Sequence, residues 1–527
     1  MKIKIILMTG LLAGSLAGCK MSDFEENYTD PSKLPETTVG KQFTGMIFQN
    51  RGDVLPSYWN YFVIHRLTSN RYNQAVGWVN VENQYVPGSA AVNDRWNRYY
   101  QFVAQYREVE KVYAGLSDAE KNERRIYMIA AATYFYDFTQ QMIDLYGDLP
   151  WSQAGMLSTN GGDYTKSYPA YDQAESIYTK MLDDLAGFAD ELRTISLNQA
   201  VEAEFKTQDL INWGDIDMWR KYVNSLRLRM LTRVSGTGGF GSRAKSEINA
   251  ILSNPGNYPI VTSNADNITF RIHELGTLMS ATDFQSGLED WDGNIAGKAI
   301  IDHMLDNNDP RLSYIFEPGE NAEGAYMGLD PLMNPSAQNE LVGTLTLSRY
   351  NRSTISRNQY FPGLLVTAAE VHLLAAEYYL RENLNAQARD HYEEAIRQSM
   401  GFYQFLRSLS NNSESPAPVV PTAADMAAYL AQPAISWDAA ASLDDRIGLI
   451  ARQKWLHLNV VQPNENWAEL RRLDALGLVF RNDDSNQQSQ PPSRWMYPGV
   501  EQSFNAANYS AVQSKDKLTT KIFWDVD

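Results

Sequence analysis

The sequence has almost no cysteine: Cys19 is the only one among 527 residues. A single thiol excludes any disulfide within the chain, so the fold must be stabilised by its hydrophobic core. A chain of this length buries enough apolar surface for that. No apolar run reaches about 18 residues, the length that a membrane-spanning helix requires. Any membrane attachment must therefore come from another feature.

Motifs of catalysis and metal binding are also missing. The six histidines are scattered singly, without HExxH spacing, and no GxSxG elbow occurs. GTGGFG at 236–241 resembles a dinucleotide loop only formally, because it follows a helical pattern and is better explained as a helix terminus. We expect no enzyme and no cofactor. A surface glycosidase stays open as an alternative, since the distance between two carboxylates is invisible in a sequence.

Calcium is a further alternative. EDWDGN at 289–294 places acidic residues beside a glycine, but the glycine comes too early for an EF-hand. A structural calcium in this loop is therefore possible without being required by the motif.

The N-terminus has the layout of a bacterial lipoprotein signal. Lys2 and Lys4 precede an apolar stretch, and LAGC at 16–19 matches the lipobox. In lipoproteins of this kind the leader, here residues 1–18, is removed and the cysteine is acylated. We predict a covalent lipid on Cys19, with palmitate among its acyl chains. The alternative is an ordinary signal peptide that happens to contain a cysteine.

Residues 19–40 follow as a polar segment with two prolines, which predicts a flexible tether. Its acidic SDFEE resembles the export signal of Bacteroidetes lipoproteins that face the cell exterior.

The charge balance is strongly acidic. The formal net charge is −17, and removing Lys2 and Lys4 with the leader leaves 44 basic and 63 acidic residues, or −19. Such a chain repels nucleic acid, which we exclude as a partner. The same balance mildly disfavours sulfated or uronic polymers as ligands, although local loops can overrule a net charge.

Helical periodicity covers two stretches, about 95–234 and 365–475. In the first, a helix through Leu145 is ended by Gly147 and Pro150, and further helices are predicted over Tyr171–Leu192 and Trp219–Val234. In the second, a hairpin turns at 382–385 and a last helical pair follows. The expected inner seam of the hairpin is Leu373, Ala376, Tyr392 and Ala395.

Between these stretches, from about 254 to 361, the periodicity fades. Proline, glycine, asparagine and aspartate are dense, with short strand-like pieces such as NITF and TLTLSRY. We predict an irregular, loop-rich lobe with little β structure, the kind of region in which binding is common. The fold class is mainly α, in one domain over 41–527.

Five segments in order resemble the SusD/RagB family of Bacteroidetes. They are the lipobox with SDFEE, DLYGDLPWSQA, MWRKYVNSLRLRMLTRVS, the hairpin at 367–400, and IARQKWLHLNVVQPNENWAELRRLD. The resemblance implies about four tetratricopeptide-like helix pairs supporting the lobe. It implies a lipid-anchored outer-membrane protein without catalysis. Such a protein binds an oligomeric nutrient, usually a glycan and sometimes a peptide. It acts as the lid of a SusC-like TonB-dependent barrel.

Two loops suit a glycan, which needs exposed aromatic rings with polar groups at the rim. In glycan-binding family members, aromatics from an early loop and from the middle lobe meet in an arc, and residues 71–85 and 284–294 are similarly placed. YWNYF at 58–62 is a weaker candidate, because so many aromatic residues close together suggest core packing. Alternatively, each tryptophan packs against the helical body and holds its own loop in place. The predicted ligand-binding residues are Tyr72, Asn73, Trp78, Asn83, Tyr85, Asp290, Trp291 and Asp292.

Other conspicuous residues have structural explanations. Trp467 is expected to be a packing anchor, and Asp148 to cap or pair nearby. A row of arginines at 220, 227, 229 and 233 suggests an anion site, but pairing with acids of neighbouring helices is the favoured alternative in so acidic a chain. A pure scaffold lipoprotein, acting through its helical repeats, is the third functional alternative.

Overall fold

The computed structural model describes residues 37–275 and 279–526. Cys19, the predicted leader and nearly all of the predicted tether lie outside the described residues. Within them the chain is mainly helical, and the six strands have only two to four residues each. None of the described helices has the length and apolarity needed to cross a membrane. The predicted fold class is confirmed.

The first half of the described chain runs through ten α-helices, a π-helix at Trp59–His65, a 3-10 turn at Tyr164–Lys166 and two short strands. The strands β1 (Leu149–Pro150) and β2 (Tyr171–Asp172) pair antiparallel. The helices are α1 (Val39–Gln49), α2 (Arg51–Val54), α3 (Ser69–Tyr72), α4 (Ser89–Ala114), α5 (Asp118–Glu123), α6 (Arg125–Tyr146), α7 (Ala174–Leu192), α8 (Gln199–Gln208), α9 (Ile216–Val234) and α10 (Gly241–Ser253).

The lobe and the second helical stretch follow. Strand β3 (Ile268–Phe270) pairs with β6 (Gly363–Val366), and β4 (Phe316–Glu317) pairs with β5 (Arg349–Tyr350), both antiparallel. Single 3-10 turns lie at Asn264–Asp266, Asp290–Asp292 and Gln513–Lys515. The helices are α11 (Phe284–Glu289), α12 (Lys298–Asp306), α13 (Leu312–Ile315), α14 (Pro335–Gly343), α15 (Ala368–Arg381), α16 (Asn385–Leu409), α17 (Ala423–Leu430), α18 (Leu443–Leu458), α19 (Pro463–Leu473), α20 (Gly499–Phe504) and α21 (Ala506–Tyr509).

Four helix pairs form the body: α4 with α6, α7 with α9, α15 with α16, and α18 with α19. Contacts of α15 with both α9 and α18, and of α6 with α9, join the pairs. The predicted seam residues Leu373, Ala376, Tyr392 and Ala395 are all buried, as packed repeats require. Trp467 is also buried, against Tyr72 at 5.3 Å between ring centroids, which confirms it as an anchor.

The arginines of α9 are neutralised by acidic side chains. Arg227 pairs with Glu247, Arg229 with Glu370, and Arg233 with Glu465. Arg220 pairs with Asp217 of its own helix. The suggested anion site is therefore wrong, and the structural alternative is confirmed for the three arginines that face neighbouring helices.

Two helix starts differ from the prediction, since α9 begins at Ile216, three residues before Trp219, and α7 begins late. Helix α7 begins at Ala174 instead of Tyr171, because Tyr171 and Asp172 pair with β1. Asp148 Oδ1 accepts a hydrogen bond from the Ala174 amide, 2.9 Å away, and so supplies an acceptor at that helix start.

Gly147 follows α6 with a φ of 79°, a conformation that favours glycine. The lobe also contains more helix than its weak periodicity predicts, in α12 and α14.

Candidate functional site

A cleft of about 450 Å³ opens where the early loop meets the lobe. It brings together three of the predicted ligand-binding residues, Trp78, Trp291 and Asp292. Its lining includes Ile295 and Leu329, which form a small apolar cluster with Leu347. The other lining residues are Arg66, Leu67, Arg71, Val76, Gly77, Val79, Val81, Gly293, Asn339 and Val342.

Main-chain hydrogen bonds hold the two loops together. The Gly77 amide donates to the Ile295 carbonyl oxygen at 2.8 Å, and Val76 forms an antiparallel bridge with Ala296. At Gly77 a Cβ atom would come within 2.7 Å of Leu329 Cβ and 2.8 Å of the Ala296 oxygen, so only glycine fits this approach. The meeting of the early loop with the lobe is therefore built into the backbone.

A row of aromatic rings lies beside the cleft, on Tyr58 and the π-helix that follows it. Tyr58 stacks on Phe62 at 4.8 Å between centroids, and Trp59 meets Tyr58 edge-on at 6.2 Å. Trp59 is half exposed, at 50% of its surface. π-Helical turns are rare and frequently lie at functional sites. Tyr58, Trp59 and Phe62 therefore form a partly exposed aromatic row, whereas Asn60 and Tyr61 of the same YWNYF segment are buried, as expected for core packing.

Trp291 is the most exposed ring of the cleft, with 81% of its surface accessible. It follows α11 in a 3-10 turn, with a φ of 57°, and Asp292 follows with a φ of 56°. Non-glycine residues adopt this left-handed conformation at a cost, commonly at binding sites. The ring meets Phe62 edge-on at 6.1 Å, which extends the aromatic row to the tip of the lobe.

Trp78 lies on the opposite loop with only 9% of its surface exposed. Its indole Nε1 donates to Gln84 Oε1 at 3.0 Å, so it both lines the cleft and braces its own loop. Asp292 forms an ion pair with Arg349 at 3.1 Å, and Asp290 is exposed. In the described stretches no three His, Cys, Asp or Glu side chains converge to hold a metal ion.

Three predicted contact residues are buried and cannot reach a ligand in this structure. Tyr72 packs against Trp467, and burial raises its pKa far above the usual tyrosine range. Asn73 uses its carbonyl oxygen to accept from Trp455 Nε1 at 2.7 Å. Tyr85 donates its hydroxyl to the Arg481 carbonyl oxygen at 2.8 Å. Each is held by a residue far away in the sequence, and the structure does not bring these three into the cleft lining.

Asn83 is exposed, but it lies outside the cleft lining. Its Oδ1 accepts from Asn486 Nδ2 at 3.0 Å, which ties the early loop to the C-terminal segment.

Two arginines that the sequence analysis did not select complete the cleft. The Arg66 guanidinium lies over both Phe62 and Trp291, 4.2 and 5.4 Å from their ring centroids. Arg71 lies over Trp78 at 5.5 Å and donates to the Gln84 carbonyl oxygen at 3.2 Å. Burial lowers the pKa of Arg66, and lowers that of Arg71 to about 10. The four-residue spacing of Tyr58, Phe62 and Arg66 is the sequence signal that could have placed them on one helix face.

Comparison with known families identifies the chain. A family model described as SusD-like, "starch-binding associating with outer membrane", matches residues 36–498. This chain belongs to the SusD-like family. None of the functionally curated proteins matches its sequence.

Solved structures share the SusD-like fold over almost the whole chain. A chitin-binding protein superposes with a TM-score of 0.73 at 22% identity, covering 92% of this chain and 100% of its own. A SusD homologue from Bacteroides fragilis gives 0.72 at 19% identity, with 93% and 100% covered. A chitin-binding SusD homologue from Flavobacterium johnsoniae gives 0.69 at 19% identity, with 93% and 99% covered. At these identities the likeness shows the fold alone.

For the SusD-like chain, the cleft offers an exposed indole, a flanking aromatic row and hydrogen-bond donors. That combination suits a ligand with flat apolar faces and polar edges, which describes a sugar ring.

Proposed function

We propose that this SusD-like chain binds an oligosaccharide in the Trp291 cleft. On this proposal it is anchored to the outer membrane through lipid on Cys19, faces the cell exterior, and acts as the lid of a SusC-like TonB-dependent transporter. The exposed Trp291 ring beside the aromatic row of the π-helix is the observation that carries the binding proposal.

Physical cost supports the choice of Trp291. A large apolar ring left in water forgoes the stabilisation that burial would give, about 1.5–3 kcal/mol for a large apolar side chain. This ring also sits on a left-handed backbone that a tryptophan adopts only with strain. Binding a sugar face would bury the ring. This would account for both the exposure of the ring and the strained backbone that presents it.

Catalysis is not part of the proposal. A glycosidase of the usual kind uses two carboxylates that flank the scissile bond. Asp292 is the only carboxylate among the lining residues of this cleft, and Arg349 already pairs with it. Incubation of the purified protein with polysaccharide should therefore release no product, and release of shorter sugars would favour the glycosidase alternative.

Binding is tested with Trp291→Ala on a panel of maltooligosaccharides, chitooligosaccharides, uronic oligosaccharides and peptides. We expect the wild-type protein to bind at least one oligosaccharide, and the variant to bind it about tenfold more weakly or worse by calorimetry. Phe504→Ala is the matched control, because Phe504 is 77% exposed and lies outside the cleft lining. Unchanged affinity in Trp291→Ala contradicts the proposed site, and binding of peptides alone favours a peptide lid.

The anchor and the lid need separate measurements. Mass spectrometry of the native protein should find an acylated Cys19, and Cys19→Ser should release the protein from the membrane fraction. Affinity purification of the native protein should recover a TonB-dependent barrel. Recovery of other partners without a barrel would favour the scaffold alternative.

A further inference from the structure

Arg71 differs from the other buried arginines of the described chain, and the half-buried Arg66 beside it shares the difference. Arg229, Arg233 and Arg311 all pair with carboxylates. Within the described stretches neither Arg66 nor Arg71 makes an ion pair with a carboxylate; Arg66 lies against aromatic rings, and Arg71 has one ring and one carbonyl oxygen. In a chain with a net charge of −17, acidic partners are abundant, yet neither arginine of the cleft has one.

The two guanidinium groups also keep unused donors. The Nε atoms of Arg66 and Arg71 are buried, and neither donates a hydrogen bond to another described residue. Arg71 has only 6% of its surface exposed and lines the cleft. A buried cation with an unpaired donor is costly unless something neutralises it.

The charges around the cleft leave it positive. Its lining contains the two arginines and one acid, Asp292, whose carboxylate is engaged by Arg349. Asp290 is exposed and electrostatically close to Arg66, but forms no ion pair with it. Burial is the main cause of the lowered pKa of Arg71, and the neighbouring charge of Arg66 adds to it. A bound anion would stabilise the charged form of both arginines.

We infer that the cleft takes an anionic oligosaccharide, whose carboxylate or sulfate is bound by Arg66 and Arg71 while a sugar ring stacks on Trp291. This inference rests on the proposed function and names the class of its ligand. A guanidinium presents several donors in one plane, which matches the oxygens of a carboxylate or sulfate better than an ammonium does. Low-dielectric walls strengthen that attraction locally, so the cleft overrules the acidic balance of the whole chain.

The test uses matched ligand pairs. Oligogalacturonides and hyaluronan oligosaccharides are titrated beside their carboxyl-reduced counterparts, and chondroitin sulfate oligosaccharides beside their desulfated counterparts. We expect at least one anionic member to bind about tenfold more tightly than its neutral counterpart, the scale of a charge-assisted hydrogen bond. Its affinity should also fall as sodium chloride rises. The arms separate a carboxylate from a sulfate as the recognised group.

Variants then assign the preference to the arginines. Arg66→Gln should lower the affinity for the anionic member about tenfold more than the affinity for its neutral counterpart, and so remove most of the anionic preference. Arg71→Gln is the second variant, with folding checked by circular dichroism because Arg71 is buried. Arg51→Gln is the matched control: Arg51 lies over the Phe48 ring at 3.7 Å and donates to the Phe48 carbonyl oxygen at 2.8 Å, outside the cleft. It should leave the preference unchanged.

The outcomes are distinguishable. Equal binding of anionic and neutral counterparts overturns this inference and leaves the glycan proposal standing. A preference that survives Arg66→Gln and a folded Arg71→Gln also overturns it. Binding of acidic peptides without any glycan, or no binding at all, contradicts the proposed function and this inference together.

Discussion

Arg229 and Glu370 form a buried ion pair with two parallel hydrogen bonds: Nε lies 2.5 Å from Oε1, and Nη2 lies 2.9 Å from Oε2. Arg229 belongs to α9 and Glu370 to α15, so the pair joins the first helical stretch to the second. Arg229 Nη2 also donates to the carbonyl oxygen of Leu365, in strand β6, at 2.6 Å. The body that carries the cleft is therefore cross-linked by a fully desolvated charge pair.

Removing one charge of this pair should destabilise the body. Glu370→Gln leaves Arg229 buried with only Asp137 as a carboxylate partner, 3.1 Å away. We expect the free energy of unfolding in urea to fall by about 3 kcal/mol, as for other broken buried pairs. Asp438→Asn, which removes the exposed partner of Arg389, is the control and should cost less than about 1 kcal/mol. Equal losses for the two variants would contradict the interpretation.

Asp144 should make stability depend on pH. Burial raises its pKa to about 6, and Glu465 adds to the rise, although Arg233 Nε lies 3.5 Å away. Because the folded pKa exceeds the unfolded one, the protonated form stabilises the fold below about pH 4, and this stabilisation is lost as pH rises through 6.

Asp144→Asn removes that titration. Relative to the variant, the wild-type protein should lose about 1.4 kcal/mol of unfolding free energy between pH 5 and pH 8, at about 1.36 kcal/mol per pKa unit. Urea titrations of both proteins at the two pH values measure the difference. A difference that does not change with pH would show that Asp144 titrates normally.

Trp524 packs the C-terminal segment against the helical body. Only 1% of its surface is exposed, and its ring lies 5.4 Å from the Arg233 guanidinium and 5.0 Å from that of Arg471. Trp524→Ala should lower the free energy of unfolding by about 3–5 kcal/mol. Val526→Ala, at a side chain that is 55% exposed, is the control and should change stability little. A small effect of Trp524→Ala would mean that the segment is not part of the core.

The left-handed backbone at Trp291 predicts a difference between two variants that both lack the ring. Trp291→Gly should be about 1 kcal/mol more stable than Trp291→Ala, because glycine adopts a φ of 57° without strain. Both should lose oligosaccharide affinity to the same extent. An alanine variant as stable as the glycine variant would show that this backbone is not strained.

The helical body was predictable from the sequence because its signals are local. Apolar spacing, a glycine at 147 and a proline at 150 place helix α6, and the hairpin α15–α16 turns where residues 382–385 predict it. The start of α7 was missed because it depends on Asp148 and on strand pairing with β1, contacts that periodicity does not contain.

The cleft was predictable only in part. Trp78 and Trp291 were selected from composition and from the resemblance, and both line it. The same early loop also contains aromatic and amide residues that are buried, namely Tyr72, Asn73 and Tyr85. They contact Trp467, Trp455 and the segment around Arg481, all of which are remote in the sequence. Arg66 was missed because the lack of an ion-pair partner is a property of the fold and not of the local sequence.

The most direct test is a crystal structure of the protein soaked with the oligosaccharide that binds most tightly. The proposed function predicts density for a sugar ring stacked on Trp291, and the further inference predicts its anionic group beside Arg66 and Arg71. Density for the oligosaccharide at another surface, with the Trp291 cleft left empty, would contradict the central claim.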